Sequence, residues 1–178
     1  MTERAAVVVG ADGRTSRVAR SVQPQVYAAK PVLQHSFYTY FRDLPTDGFE
    51  TYIRTDRGWA AFPTNDGLTL VVVGWPAAEA DAYKADPEGN FQITLELAPA
   101  FAARVRAATR VERLTAGAVP NFFRVPYGPG WVLVGDAGYT KDPITAQGMP
   151  DAFLDAERTA SALDDVLSGR RSFDDALH

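Results

Sequence analysis

The sequence predicts an α+β fold derived from an α/β unit: an antiparallel sheet with flanking helices is inserted into an incomplete α/β unit. Two short apolar strands, Ala5–Val9 and Trp131–Val134, stand far apart, and each ends at a glycine- and aspartate-containing turn. Between them lie strand patterns separated by hairpin signals. An amphipathic helix follows the second turn. Together these observations favour one nested domain over two consecutive ones.

Composition excludes several classes of function. The chain has 178 residues, no cysteine, two histidines and a formal net charge of -4. The negative charge argues against a nucleic-acid partner. The absence of cysteine excludes disulfides and thiol nucleophiles, and two histidines are too few for a multi-histidine centre, so we expect no metal site. Because no targeting or membrane-length apolar segment is present, we expect no membrane partner and a cytoplasmic location.

The N-terminal elements follow from local signals. Ala5–Val9 is continuously apolar and β-branched, which predicts a strand of the parallel-sheet kind, buried on both faces. Gly10–Gly13 predicts a turn. Ser16 is placed to cap a short helix that reaches Ala19 or Val22.

The middle of the chain predicts an antiparallel meander followed by helices. Turn-forming Asp-Gly and Asn-Asp-Gly sequences separate the strands. The four predicted strands are His35–Arg42, Phe49–Arg54, Trp59–Phe62 and Leu68–Trp75. Ala77–Lys84 predicts one helix, and Phe91–Ala108 predicts two because Pro99 interrupts it.

The last third predicts a strand, a loop and a long helix. Trp131–Val134 is the strand, and the loop runs from Ala137 to Gly148. Apolar residues from Met149 to Leu167 then recur every three or four positions. Pro150 suits the first helical turn, and Gly169 suits the end of the helix.

The two turns are the first candidate ligand sites. Gly10–Gly13 and Gly135–Gly138 follow the carboxyl ends of the apolar strands, where α/β sheets usually bind ligands. Glycine permits close backbone approach, and an ionised aspartate accepts hydrogen bonds from sugar hydroxyls. Each turn taken alone is also compatible with a purely structural role.

A third candidate is the segment Pro143–Gly148, directly before the long helix. The first N–H groups of a helix lack internal partners and carry partial positive charge. This terminus suits a redox-active ring that gains negative charge on reduction. The alternative is a helix start without a ligand.

These residues together resemble a known family. Gly10–Arg20 is similar to the "DG" motif of FAD-dependent aromatic-hydroxylase (p-hydroxybenzoate hydroxylase-like) monooxygenases. Gly135–Gly138, with Pro143, Gly148 and the helix that follows, resembles their "GD" motif and flavin loop. The stretch Gly135–Gly148 looks most like uncharacterised oxidoreductases and halogenase-like members, whereas the middle of the chain matches in architecture alone.

The resemblance implies a domain organisation. Residues 1–24 and 118–178 would be parts of an FAD-binding domain, and residues 25–117 an antiparallel substrate-binding domain. The family's GxGxxG unit is missing: Gly128–Gly130 is the one G-x-G present, and it precedes a strand. The chain therefore looks like the C-terminal portion of such an enzyme, with FAD binding weakened or lost and no activity expected alone.

The resemblance also implies site residues. Asp136 would bind the ribityl and pyrophosphate part of FAD, Asp12 would lie near the dinucleotide, and the helix N-terminus would stabilise the reduced flavin. The cofactor-binding candidates are Asp12, Gly13, Gly135, Asp136, Pro143, Ala146, Gln147, Gly148 and Met149. The flavin supplies the chemistry, so no catalytic side chain is assigned.

Aromatic residues of the predicted sheet are candidates for a substrate pocket. They are Phe37, Tyr38, Tyr40, Tyr52, Trp59 and Phe62. Core packing is the alternative for each, because side chains on a strand alternate between its two faces.

The functional expectation is an FAD-dependent oxidoreductase or monooxygenase that oxidises a small aromatic or apolar substrate through a flavin intermediate, with NAD(P)H as candidate reductant. Two alternatives stay open: a flavin-free small-ligand-binding module, and one half of a split flavoenzyme. The apolar edges of the two end strands predict self-association or a complementary chain.

Overall fold

A computed structural model describes residues 4–178 of the protein. Its strands are β1 (Val8–Gly10), β2 (Val26–Lys30), β3 (Gln34–Arg42), β4 (Glu50–Arg54), β5 (Arg57–Pro63), β6 (Leu68–Pro76), β7 (Thr109–Arg110), β8 (Thr115–Ala118), β9 (Asn121–Arg124), β10 (Tyr127–Gly128), β11 (Trp131–Leu133) and β12 (Tyr139–Thr140). Its α-helices are α1 (Arg17–Val22), α2 (Ala80–Ala85), α3 (Pro87–Glu96), α4 (Pro99–Ala107), α5 (Gly148–Leu167) and α6 (Phe173–Leu177). Within residues 4–178, every helix is too short or too polar to cross a bilayer.

The chain is an α+β protein, as predicted, and it divides into two compact units. The first unit comprises Met1–Pro31 and Val119–His178, and the second comprises Val32–Ala118. The second unit is thus inserted into the first. The first unit extends beyond the expected limit at residue 24 because β2 pairs with β9 of the same unit.

The first unit contains two small sheets. In one, β1 pairs in parallel with β11, and β10 pairs with β11 on its other side. In the other, β9 lies between β2 and β12, all antiparallel. Rings of Tyr27, Phe123 and Tyr139 stack in sequence across this second sheet, with centroid separations of 5.6 and 5.2 Å.

The first strand differs from its prediction. It begins at Val8 and is not buried on both faces, because Val8 and Val9 remain 48% and 45% exposed. The reason is its position: among the described strands β1 has one neighbour, β11, so its other edge is open. In contrast, Val132 and Leu133 of β11 are each 3% exposed, as expected for a strand with a neighbour on each side.

The capping prediction for α1 is confirmed. The Ser16 hydroxyl accepts a hydrogen bond from the Ala19 N–H at 2.9 Å, and Ser16 itself is buried. The helix ends at Val22, and Gln23 adopts left-handed backbone angles at its C-cap.

The second unit contains a sheet whose strand order differs from the predicted meander. The order is β4-β5-β6-β3-β7, and β8 also pairs with β3. β4, β5 and β6 follow one another as expected, but β3 pairs with β6 along its whole length, from Gln34 opposite Pro76 to Arg42 opposite Leu68. In this central position β3 has hydrogen-bonded partners on both edges, β6 on one and β7 and β8 on the other, whereas an end position beside β4 would leave one edge unpaired.

Helices α2 to α4 bury one face of this sheet. The core residues on the strands are Phe37, Phe41, Trp59, Ala61, Val71, Val73 and Trp75, and those on the helices are Tyr83, Phe91, Leu95, Phe101, Ala102 and Val105. The Trp75 indole N–H donates to the Thr94 hydroxyl at 2.9 Å inside this core. The predicted break at Pro99 is confirmed, since Pro99 is the first residue of α4.

A charged network attaches α4 to the edge of the sheet. The Arg104 guanidinium donates to both Glu50 carboxylate oxygens at 2.9 and 2.5 Å, to the Tyr52 hydroxyl at 3.0 Å, and to the Pro45 carbonyl at 2.7 Å. The hydrogen bond from Arg104 holds the Glu50 pKa below its usual value of 4.5, against the opposing effect of burial. The Glu50 side chain is 22% exposed, so this pair is only partly screened by water.

We predict that Glu50→Gln lowers the free energy of unfolding by about 1–2 kcal/mol at pH 7. Because the Glu50 pKa is depressed in the folded state, its contribution is present above the unfolded-state pKa and is lost as pH falls through the folded-state value. The stability difference between the native protein and the variant therefore shrinks below about pH 4.5. Urea unfolding between pH 3 and 7 measures it.

Glu96→Gln is the matched control, because Glu96 pairs with Arg106 at the surface, where both side chains are about half exposed. We expect a smaller effect of Glu96→Gln at every pH. Equal effects of the two substitutions would contradict a special role for the Arg104 network.

Candidate functional site

The two predicted turns lie beside each other because β1 and β11 are parallel neighbours. Gly10 pairs with Leu133, and the Val134 N–H donates to the Gly10 carbonyl at 2.9 Å, so both turns leave the same edge of the sheet. Gly10 also permits close packing of α1. A Cβ atom at this position would lie 2.8 Å from a Leu133 methyl and 2.9 Å from the Val18 Cβ.

In the first turn, the Asp12 carboxylate is directed at the start of α1. It accepts hydrogen bonds from the N–H groups of Arg17 at 2.6 Å and Val18 at 3.4 Å. Hydrogen bonding, chiefly with Ser16, holds the Asp12 pKa below its usual value. Asp12 is exposed, and Gly13 follows with φ +75° and open space around it. The expected contact of Asp12 with a dinucleotide stays a prediction, and its present partners are those of a helix-capping residue.

In the second turn, Gly135 has a conformation that favours glycine. Its φ is +58°, and a Cβ atom would lie 3.0 Å from the Cβ of Ala152 on α5. The Gly135 N–H donates to a carboxylate oxygen of Asp155, also on α5, at 3.1 Å. Gly135 therefore joins the strand end to the helix by one hydrogen bond and one close contact.

Asp136 lies between buried residues but is itself exposed. Gly135 and Ala137 on either side are buried. Within residues 4–178, the Asp136 carboxylate makes no side-chain hydrogen bond or ion pair, in contrast to Asp12, Asp151 and Asp155. The second turn thus presents a free anionic acceptor at the carboxyl end of a buried strand.

The segment before α5 leaves the helix N-terminus open. Asp142 caps a short 3₁₀ turn, Pro143–Thr145, by accepting from the Ile144 N–H at 3.0 Å, and Ala146 has φ +52°. Gln147 gives α5 no side-chain cap. A Cβ atom at Gly148 would contact nothing within 4 Å. The first N–H groups of α5 therefore lack an intrahelical acceptor and are approachable from outside.

These residues fit FAD by the chemistry of their donors and acceptors. The free Asp136 carboxylate can accept hydrogen bonds from ribityl hydroxyls. The uncapped N-terminus of the 20-residue α5 offers N–H groups and partial positive charge to the electron-rich edge of a flavin ring. The candidates Pro143, Ala146, Gln147, Gly148 and Met149 are all exposed, so no neighbouring side chain of this unit covers them.

Three further polar side chains, Tyr139, Lys141 and Asp151, lie near the start of α5. The Lys141 ammonium lies 2.5 Å from an Asp151 carboxylate oxygen. Burial raises the pKa of the Tyr139 hydroxyl to about 12, with additional contributions from Asp155 and Asp151. At neutral pH Tyr139 is therefore a neutral donor, and Lys141 is already paired.

Arg124 contacts the second turn, and the sequence analysis did not single it out. Its guanidinium donates to the Ala137 carbonyl of the second turn at 2.6 Å and lies 4.5 Å from the centre of the Phe122 ring. Burial lowers the pKa of Arg124, and attraction to Asp12 opposes that change. In the sequence, Arg124 is a single cation at the end of the strand Asn121–Arg124. Its contact with the turn can be recognised only from the three-dimensional structure.

The aromatic candidates for a substrate pocket divide between the two faces of the sheet in the second unit. Phe37 and Trp59 are each 3% exposed and belong to the helix-covered core. They are therefore not available to a ligand on the open face. Tyr52 stacks on Trp59 at 5.1 Å and packs against the same core.

The other three candidates lie at alternate positions and are only partly buried. Tyr38 and Tyr40 meet edge to face at 6.2 Å. Phe62 stacks on Phe49 at 5.0 Å, and Phe49 is 61% exposed. These side chains occupy the sheet face that α2 to α4 do not cover, and they stay candidates for substrate contact.

Comparison with known proteins identifies relatives of almost the entire chain. The family model described as "FAD binding domain" matches residues 2–176. The chain is 31% identical over 180 residues to 3-demethoxyubiquinol 3-hydroxylase of Escherichia coli (strain K12). This alignment covers 97% of the chain and 43% of the relative.

Solved structures of similar fold also cover almost the entire chain. PqsL, a probable FAD-dependent monooxygenase of Pseudomonas aeruginosa, superposes with a TM-score of 0.80 at 26% identity, over 98% of this chain and 50% of its own. The myxobacterial chondrochloren halogenase CndH, at 23% identity, shares the fold with a TM-score of 0.84 over 97% of this chain and 42% of its own. The chain thus spans half or less of the length of these relatives.

We predict that Gly135→Ala destabilises the first unit by about 1–2 kcal/mol from backbone strain, with a further loss from the contact with Ala152. Gly169→Ala is the control, because Gly169 has φ +71° but no atom within 4 Å of its added Cβ. Denaturant unfolding followed by far-ultraviolet circular dichroism measures both variants.

The double variant Gly135→Ala/Ala152→Gly separates the two causes. If the Cβ contact matters, the second substitution restores part of the loss despite the cost of glycine in a helix. Equal losses in Gly135→Ala and Gly169→Ala, with additive effects in the double variant, would show that the contact with α5 contributes nothing.

Proposed function

Since the chain belongs to the FAD binding domain family of aromatic-hydroxylase-like flavoenzymes, we propose that its first unit binds FAD and that it serves an FAD-dependent monooxygenase or related oxidoreductase. The observation that carries this proposal is the exposed, unpaired Asp136 carboxylate beside the uncapped N-terminus of α5. Both features belong to one unit, and the Gly135–Asp155 hydrogen bond connects the turn to the helix.

When bound, FAD supplies the redox chemistry. The chain's own residues bind and orient it. Asp136 accepts hydrogen bonds from the ribityl hydroxyls. The backbone N–H groups of Gly148 and Met149, at the positive end of α5, favour the anionic reduced ring over the neutral oxidised ring. Asp155 positions the turn by accepting a hydrogen bond from the Gly135 N–H.

The relatives support an oxidation reaction. The Escherichia coli relative is a hydroxylase and PqsL is a probable FAD-dependent monooxygenase. We therefore propose hydroxylation as the reaction class and NAD(P)H as the reductant class. Flavin-free ligand binding is the alternative, and the FAD titration below separates the two.

We propose that the open face of the sheet in the second unit receives a small aromatic or apolar substrate. Tyr38, Tyr40 and Phe62 supply partly exposed ring surfaces there. Such surfaces suit stacking or edge-to-face contact with an aromatic ring. The two tyrosine hydroxyls add polar groups that can orient it.

We predict that the purified chain quenches FAD fluorescence saturably and that Asp136→Asn weakens FAD binding about tenfold or more, because the carboxylate is replaced by a neutral amide. Titration at constant ionic strength, with FAD fluorescence and visible absorption as readouts, measures the change.

Asp164→Asn is the control, since Asp164 lies near the opposite end of α5 and pairs with Arg170 at the surface. We expect it to bind FAD as the native chain does. Absence of any FAD binding by the folded native chain would reject FAD-dependent function of this chain alone. Equal binding by Asp136→Asn would reject the assigned role of Asp136.

We also propose that the chain self-associates through the open edge of β1. Val8 and Val9 leave apolar surface and unpaired backbone groups at this edge, which favours strand pairing with another copy. We predict a concentration-dependent dimer by sedimentation velocity that Val8→Lys reduces. A monomer at all concentrations would reject self-association, and a complementary chain would then be the alternative to examine.

A further inference from the structure

Arg124 contacts the second candidate turn although neither motif contains it. Its Nη1 donates to the Ala137 carbonyl at 2.6 Å, and its backbone N–H donates to the Gly138 carbonyl at 2.8 Å. Attraction to the Asp12 carboxylate raises the pKa of Arg124, against the effect of burial. Because β9 is fixed between β2 and β12, the backbone of Arg124 is held in a regular strand.

The positive charge of Arg124 has no directly bonded anionic partner within residues 4–178. No carboxylate oxygen of those residues lies within 4.0 Å of its guanidinium, and the Ala137 carbonyl that it contacts is neutral. The same residues offer no acceptor to Nε and Nη2. A half-buried guanidinium with free N–H donors has the charge and the donors that suit an anion, since burial makes an unpaired charge costly.

The second turn is acidic, whereas Arg14 and Arg17 follow Asp12 at the first turn. Asp136 is exposed at the second turn, Asp12 at the first, and Asp155 lies at the Gly135 N–H. Lys141 does not neutralise these carboxylates, because its ammonium already pairs with Asp151 at 2.5 Å. The pyrophosphate of a flavin dinucleotide is anionic, so its approach to Asp136 needs a compensating cation.

We propose that Arg124 is that cation and binds the phosphate oxygens of FAD. This inference rests on the proposed function, because it requires that the first unit binds FAD. Arginine suits the role: its planar fork matches phosphate geometry, and one of its donors can hold the Ala137 carbonyl while others face the ligand. Arg124 is thus a binding residue that also supports the second turn.

The test compares two ligands that share the flavin ring but differ in phosphate. FAD carries the pyrophosphate, whereas riboflavin has the same ring and ribityl chain and no charge there. We expect Arg124→Met to weaken FAD binding about 10- to 100-fold and riboflavin binding much less, since riboflavin loses only the support of the second turn. Arg124→Lys restores part of the FAD affinity because it keeps the charge but loses the fork. Arg158→Met, which removes an exposed arginine of α5, changes neither.

Salt provides a second, independent readout. FAD affinity of the native chain falls as KCl is raised, since the pairing is electrostatic, and the slope becomes shallower in Arg124→Met. Riboflavin affinity changes little with KCl in either protein. Circular dichroism and the unfolding midpoint of each variant show whether the second turn remains folded. If Arg124→Met does not fold, Arg124→Lys and the salt dependence of the native chain carry the test.

Each outcome is decisive. A selective loss of FAD binding supports the proposal. Equal losses for FAD and riboflavin overturn it and leave Arg124 as support for the Ala137 carbonyl. Unchanged FAD binding in a folded Arg124→Met, or native FAD binding insensitive to KCl, also overturns it. If the folded native chain binds neither ligand, the proposed function itself fails, which differs from each result above.

Discussion

The parallel pairing of β1 with β11 is the constraint on which the site depends. The register that places Gly10 opposite Leu133 sets both turns at one sheet edge, although more than half of the chain separates them. The same unit also contains the pairing of β2 with β9, in which Val26 lies opposite Arg124. The chain therefore leaves the first unit from a strand adjacent to the one by which it returns, so that an entire second unit can be inserted without separating the two turns.

Residues outside the turns determine what each turn presents. The carboxylate of Asp12 accepts hydrogen bonds from N–H groups at the start of α1, and that of Asp155 accepts one from the Gly135 N–H. Asp136 is left with an exposed carboxylate that has no partner among residues 4–178. Two aspartates in similar local sequences thus have different roles, and the difference arises from which backbone donors lie within reach. The free donors of Arg124 complement the free acceptor of Asp136 in the same unit.

Local features could be predicted from the sequence because their causes are local. The Ser16 cap, the helix that starts at Pro99 and the left-handed Gly169 after α5 each depend on a few neighbouring residues. The family could be predicted for a related reason, since the two turns and the segment before α5 are short motifs with characteristic residues.

Features that depend on distant pairing could not be predicted. The position of β3 beside β6 follows from pairing across the sheet, and no local signal distinguishes it from a position beside β4. The same pairing decides that Phe37 faces the helices while Tyr38 faces the open side. The contact of Arg124 with the Ala137 carbonyl arises only once the strand lies beside the turn. Val8 and Val9 are exposed because β1 has no second neighbour among the described strands.

None of the described side chains of α5 is buried, although the helix is amphipathic over 20 residues. Met149 and Phe153, one turn apart, are 76% and 77% exposed. The helix is held mainly at its contacts with the Gly135–Ala137 turn and α6. Its amides should therefore exchange with solvent by local detachment, at a lower free energy than those of β3 and β6. A ligand at its N-terminus binds only those molecules in which α5 is docked. The apparent affinity is therefore reduced by the fraction of molecules in which α5 is detached.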